Sequence, residues 1–195
     1  MKTKLYQIHI LLKDSKPSIW RRILIPSDYL LSDFHLAIQA SMDWYDMHLH
    51  QFIKDKIMYC PKSPDIIDFW DDSDMVDYDK MKISDLLINE KDKIKYEYDF
   101  GDGWEHYITL EKFISIDGKM PFPVCIKGKM NCPPEDSHGM WGYYHMLDVL
   151  QHPDHEEFEE ISEWLGEDFD STFFDIYEIN SNLISYFLDV PEEIT

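Results

Sequence analysis

The chain has 195 residues, 44% of them hydrophobic and 15% aromatic, and its 18 basic and 39 acidic side chains give a net charge of −21. That apolar content supports a packed domain and excludes a disordered chain, and no apolar run reaches the roughly 20 residues of a membrane-spanning helix. Nonspecific nucleic-acid binding rests on phosphate neutralisation, so this charge disfavours it.

Tyr6, Ile8, Ile10 and Leu12 alternate with Gln7, His9 and Leu11, the period of a half-buried strand. The alternation favours a first strand over a secretory leader, and a cytoplasmic setting is expected. Cys60, Cys125 and Cys132 are then free thiols or metal ligands. A turn over Lys13–Ser18 leads to a returning strand, Ile19–Ile25, stopped by Pro26. Ser32 is placed to cap a helix whose stripe is Leu31, Phe34, His35, Ile38 and Met42. His48–Met58 reads as a third strand. Residues 60–79 form an acidic loop that lacks the central glycine and closing glutamate of an EF-hand, and the aromatics of the 66–78 stretch suit self-association or a partner. A short helix is expected near Ile83–Ile88.

Lys93–Phe100 and Trp104–Phe113 read as a hairpin closed by Gly101-Asp102-Gly103. Residues 114–138 are mostly proline-studded loop. Helices follow over Met140–Leu150, over Asp154–Leu165 with a capping-box pattern of Asp154 and Glu157, and along the Ile176, Ile179, Leu183, Phe187 stripe. Strands first and helices last predict a single α+β domain over residues 1–195, with a mainly antiparallel sheet and a helical C-terminal part from about residue 139. That part is strongly acidic: no Lys or Arg follows Lys129, whereas 17 Asp and Glu do. Such a surface either aids solubility or docks a basic protein partner.

Two stretches concentrate polar chemistry: YEYDFGDGWEH at 96–106 and CIKGKMNCPPEDSHGMWGY at 125–143. In an extended strand Glu97 and Asp99 share one face, opposite Tyr96, Tyr98 and Phe100. Asp99 at the strand end, Asp102 at the turn and His106 on the return strand offer carboxylates beside an imidazole, the minimum for acid–base work, metal orientation or structural hydrogen bonding. Asp102 equally suits a hydrogen bond to its own turn. Pro133-Pro134 stiffens the chain before Glu135 and Asp136, whose charge favours a cation or cationic group. Trp104 and Trp141 offer flat walls.

His48-x-His50 puts two imidazoles on one strand face, a metal-ligand spacing. With Asp99, His106 and Glu135 it completes a mixed N/O set suited to zinc or manganese. Cys125 and Cys132 do not have C-x2-C spacing, so a zinc ribbon is not expected. Arg21 points inward if Arg22 points outward, and it suits either a carboxylate partner such as Asp99 or a ligand. No Walker loop, dinucleotide fingerprint or nucleophile elbow is present.

The motifs PSIWRRI at 17–23, HLHQF at 48–52, YEYDFGDGWEH, CPPED at 132–136, WGY at 141–143 and WLGEDFD at 164–170 occur in the order of the Ri-plasmid ORF-3-like family, which the chain resembles. That family is similar to transposon passenger proteins. The resemblance implies a compact α+β domain with no established activity and an association with mobile elements. Such proteins usually read CPPED-Cys-Gly-Gly where this chain reads CPPED-Ser137-His138-Gly139, which removes a thiol. They usually hold Gly where Asp43 precedes Trp44.

The leading expectation is a binding or adaptor module. Its ligand pocket draws on Asp99, Asp102, Trp104, His106, Glu135, Asp136, Arg21 and Trp141, with His48 and His50 as metal ligands. The alternative is a metal-dependent hydrolase, acting on mobile-element nucleic acid if Trp20–Arg22 and Lys54–Lys56 form a basic groove.

Overall fold

Strand alternation in the first 26 residues is realised as a hairpin. In the computed structural model, which describes residues 2–62, 75–166 and 168–188, β1 (Lys2–Leu12) and β2 (Trp20–Pro26) pair antiparallel with Leu5 opposite Pro26. Helix α1 (Leu31–Met42) buries Phe34, His35, Ile38 and Met42. Its cap is Leu30 rather than Ser32, because the Asp33 carboxylate accepts the Leu30 N–H at 3.1 Å. The helix ends at Asp43 in the left-handed conformation (φ 60°), a position that favours glycine.

The single strand expected over His48–Met58 is a second hairpin, β3 (His50–Lys54) and β4 (Ile57–Cys60). Asp55 and Lys56 both have positive φ, and a two-residue turn of that kind matches the twist of paired strands. Strand β5 (Met75–Asp77) lies parallel to β4. Residues 63–74 of the acidic loop, where the calcium comparison was made, lie outside the described residues; Tyr78 at its end is buried rather than available to a partner. The one-turn α2 (Ile83–Leu86) follows.

The central hairpin is β6 (Lys93–Tyr98) with β7 (Trp104–Asp117). Part of the expected 114–138 loop is strand instead: β7 runs to Asp117, and β8 (Val124–Lys129) pairs with β2. Helices α3 (Gly139–Val149), α4 (Phe158–Leu165) and α5 (Ile176–Phe187) complete the order. Helix α4 starts later than Asp154 predicts. The Glu157 side chain meets His145 at 3.0 Å instead of closing a capping box.

The strands form one sheet in the order β5-β4-β3-β6-β7-β1-β2-β8, antiparallel except for β4–β5. The architecture is α+β. Ile8, Ile10, Phe52, Tyr96, Trp104 and Ile108 enter one core with Phe34 and Ile38 of α1, and α5 packs along α1 and β8. The other face carries half-exposed polar residues: Arg22 pairs with Glu111 at 2.6 Å, and Lys95 with Glu105 at 3.2 Å. No helix among the described residues is long and apolar enough to cross a membrane.

Register sets one end of this sheet apart. His50 opposes Tyr98, and Tyr98 opposes Trp104, so the start of β3, the end of β6 and the start of β7 lie side by side. The start of α3 closes over the β6–β7 turn. Gly139 sits at φ +68°, and a Cβ there would collide with the Asp102 carbonyl oxygen, so only glycine permits this approach.

Candidate functional site

Three separate segments each deliver one ligand-type side chain to this end of the sheet: His48 before β3, Asp99 after β6 and Asp136 before α3. The His48 Nε2 lies 3.2 Å from Asp136 Oδ1 and 3.7 Å from Asp99 Oδ2. One donor atom from each of the three falls within 4.8 Å of the others.

Asp99 reaches this position by leaving the strand. Its φ of 53° breaks the alternation that would have set it beside Glu97 on the open face. The carboxylate is buried, and Oδ1 accepts the N–H groups of Gly101 at 2.9 Å and Asp102 at 3.3 Å. Oδ2 is left for His48. Asp136 has φ 60° and is exposed. Non-glycine residues in this conformation carry strain of about 1 kcal/mol or more each, held only where surrounding structure fixes them.

The residues just before each of the three supply that fixing. The Tyr98 hydroxyl donates to Glu135 Oε1 and accepts the Met47 N–H at 2.9 Å. Burial, then the Glu135 bond, raises the Tyr98 pKa far above its ordinary value, so the hydroxyl remains a donor. Glu135 Oε2 accepts the Tyr45 N–H at 2.8 Å. One phenol thus ties together the neighbours of Asp99, Asp136 and His48. Below it, Trp44 stacks on Tyr98 at 5.3 Å and donates its Nε1–H to the Pro133 carbonyl at 2.9 Å. Sequence alone does not mark Trp44 and Tyr98 as site residues; their one signal is that they are aromatic neighbours of Asp43 and Asp99.

The second half of the H-x-H pair goes elsewhere. His50 is buried, bonds Tyr78 and stacks face to face on His35, with centroids 3.5 Å apart and planes at 4°. His35, Asp46 and His50 also offer ligand-type atoms within 4.8 Å. The lone pairs of the two rings lie in nearly parallel planes 3.5 Å apart, so they do not meet at one ion. This cluster is instead a closed circuit. Asp46 Oδ1 meets His35 Nε2 at 2.7 Å, His35 Nδ1 meets the Tyr96 hydroxyl at 2.8 Å, Gln39 donates to Tyr96 at 2.9 Å, and the Asp46 N–H returns to Gln39 at 3.1 Å. It holds the loop that carries His48. Burial, then the neighbouring His35, pushes the His50 pKa down to about 2.

The remaining candidates are distributed as follows. Asp102 joins the turn, donating its N–H to Asp99, while its Oδ2 is buried without a hydrogen bond among the described residues. Trp104 is core, tilted against Trp44 at 5.6 Å. His106 opposes Tyr96 inside the sheet core, packed on the edge of Trp44. Burial lowers its pKa to about 3, so it is a neutral core residue rather than an acid–base group in the pocket. Trp141 is 79% exposed and stacks on His145 at the surface. Arg21 is buried, but its partners are carbonyls, not a carboxylate. It donates to Ser41 O at 2.9 Å, Trp20 O and Met130 O at 3.0 Å and Lys129 O at 3.1 Å, and contacts Cys132 Sγ at 3.1 Å. It lines a separate small cavity with Asp43, Asn131, Phe174 and Glu178.

The chain has relatives in other organisms. A Sinorhizobium fredii protein named uncharacterized protein y4hQ is 33% identical over 186 residues, covering 92% of this chain and 91% of its own. The crystal structure of MM3350 from Methanosarcina mazei Go1, described as a protein of unknown function, superposes with a TM-score of 0.77 at 38% identity over 90% of this chain and 97% of that one. The model of the plasmid pRiA4b ORF-3-like proteins matches residues 4–178, and the chain belongs to that family.

Proposed function

We propose that this chain is a binding module whose pocket, at the junction of the β6–β7 turn, the loop before β3 and the loop before α3, takes a cation or a cationic group. One observation carries the reading. Asp99 and Asp136 converge on His48, and among the described residues neither carboxylate pairs with a Lys or Arg, whose salt bridges all lie elsewhere. Asp99 is buried and faces the exposed Asp136, and two carboxylates brought this close repel each other unless a positive ligand sits between them. Glu135, held by Tyr98 and Tyr45, adds to the negative potential.

A second reading, a metal-dependent hydrolase, draws on the same three donor atoms. Its nucleic-acid form loses support. Strands β2 and β3 are separated by β1, β7 and β6, about 19 Å of sheet at the usual strand spacing. Arg21 and Arg22 are spent on carbonyls and on Glu111, and Lys54 on the Leu86 carbonyl. Among the described residues, that separation and these partners do not bring Trp20–Arg22 and Lys54–Lys56 into one basic groove.

The test is an amide NMR titration of the wild-type chain with butylammonium, spermidine and divalent metal chlorides, with sodium acetate as control. Cations are expected to shift the amides of Tyr45, Met47, Gly101 and Asp102, and the Asp136→Asn variant to lose the shifts. Silence at these amides with every cation at millimolar concentration would overturn the reading.

A further inference from the structure

Spacing at the site discriminates among cations. We infer that His48, Asp99 and Asp136 form a one-histidine, two-carboxylate centre for a divalent transition metal ion of the zinc or manganese class, with coordination positions left open to a further ligand. The inference rests on the cation-pocket reading and narrows it.

The His48 Nε2 is buried and makes no hydrogen bond among the described residues, although a carboxylate oxygen lies 3.2 Å away. Asp136 therefore stands off the axis of that nitrogen, and the 3.7 Å separation from Asp99 leaves it unbonded as well. Atoms that flank a nitrogen without facing it are the arrangement expected around a shared ion. Ligands about 2.1 Å from a tetrahedral metal are about 3.4 Å from one another. The observed 3.2 and 3.7 Å bracket that value. An ammonium group hydrogen-bonds at about 2.8 Å and would hold three acceptors about 4.6 Å apart, which is too wide for these two separations. An imidazole ligand disfavours calcium and magnesium, which select oxygen, and favours zinc and its neighbours, while the two carboxylates also suit manganese.

Preorganisation agrees. The Tyr98 hydroxyl holds the residues adjoining all three ligands, and Asp99 and Asp136 are both kept in left-handed conformations. Three protein ligands do not close a tetrahedral shell, and Asp136 lies exposed, so the free positions face solvent. That is the coordination of a centre that receives a ligand, not of a structural staple.

The experiment is a titration of chelator-stripped protein with Zn2+ against a chromogenic chelator, with the visible spectrum of the Co2+ form as a second readout. Wild type is expected to bind one equivalent. His48→Gln, Asp99→Asn and Asp136→Asn are expected to weaken binding by about tenfold or more, and His145→Gln on α3 to leave it unchanged. Asn at 99 retains an oxygen to cap the turn and Asp136 is exposed, so retained circular dichroism separates lost ligation from lost fold. No metal uptake by wild type, or uptake unchanged in all three variants, overturns the metal centre. If butylammonium still shifts the Gly101 and Met47 amides in that case, the cation pocket stands without the metal. If it does not, both fall.

Discussion

Acid should destabilise this fold well above the range in which its carboxylates titrate. His50 and His106 have pKa values near 2 and 3, in both cases mainly because burial penalises the charged ring. The unfolded chain binds those protons near pH 6.5. Stability is therefore intact above pH 6.5 and falls as pH drops below it, because protonation favours the unfolded state. The slope is about 1.4 kcal/mol per pH unit for each such histidine. At pH 5 each has lost about 2 kcal/mol, together about 4 kcal/mol, a large share of the 5–15 kcal/mol typical of a domain. His9, lowered by partial burial, acts in the same direction. Carboxylates such as Glu111, lowered chiefly by its Arg22 bond, act only below their unfolded values near 4.3 and leave the window clear. Urea unfolding of the chelator-stripped chain from pH 7.5 to 5, at constant salt, should show this slope. His106→Gln and His50→Gln should each flatten it by about 1.4 kcal/mol per pH unit. Stability level between pH 7 and 5, or variants with the wild-type slope, would refute the placement of both rings as neutral core groups.

Tyr98→Phe keeps the stack on Trp44 but removes the hydroxyl shared by Met47 and Glu135. A loss of about 1–3 kcal/mol in urea unfolding is expected, with weaker cation binding in the same sample. Gly139→Ala drives a methyl into the Asp102 carbonyl at a positive φ, and should cost about 2 kcal/mol or more and shift the Gly101 and Asp102 amides. Arg21→Met fills similar volume but strands four carbonyls; a loss of about 3 kcal/mol or more, measured by urea unfolding, is expected.

Periodicity carried the parts of the fold that repeat. The β1–β2 and β6–β7 hairpins and the α1 stripe are legible because alternation and helical spacing leave a pattern in their residues. Strand β8 leaves almost none: Cys125 is its one fully buried position, and pairing with β2 is what makes it a strand. The His48–Met58 run hid a turn because Asp55 and Lys56 adopt positive φ without glycine. The site shows the same limit. The crowding of Asp99, Glu135 and Asp136 beside aromatics was visible, and so was His48. Left-handed Asp99 turns its carboxylate inward against the strand pattern, which no local rule predicts. His50 and His106 look like His48 in sequence, but the sheet register carries both into the core. Where the resemblance expects glycine, at Asp43 and His138, the backbone is left-handed, the conformation glycine adopts most readily.

If His48, Asp99 and Asp136 share one cation, crystals of the wild-type chain soaked in Mn2+ or Zn2+, with anomalous scattering recorded at the metal edge, will show it. A single strong peak is expected about 2.1 Å from His48 Nε2 and from one oxygen of each aspartate. A map with no peak there, or with its strongest peak at another group of side chains, would contradict it.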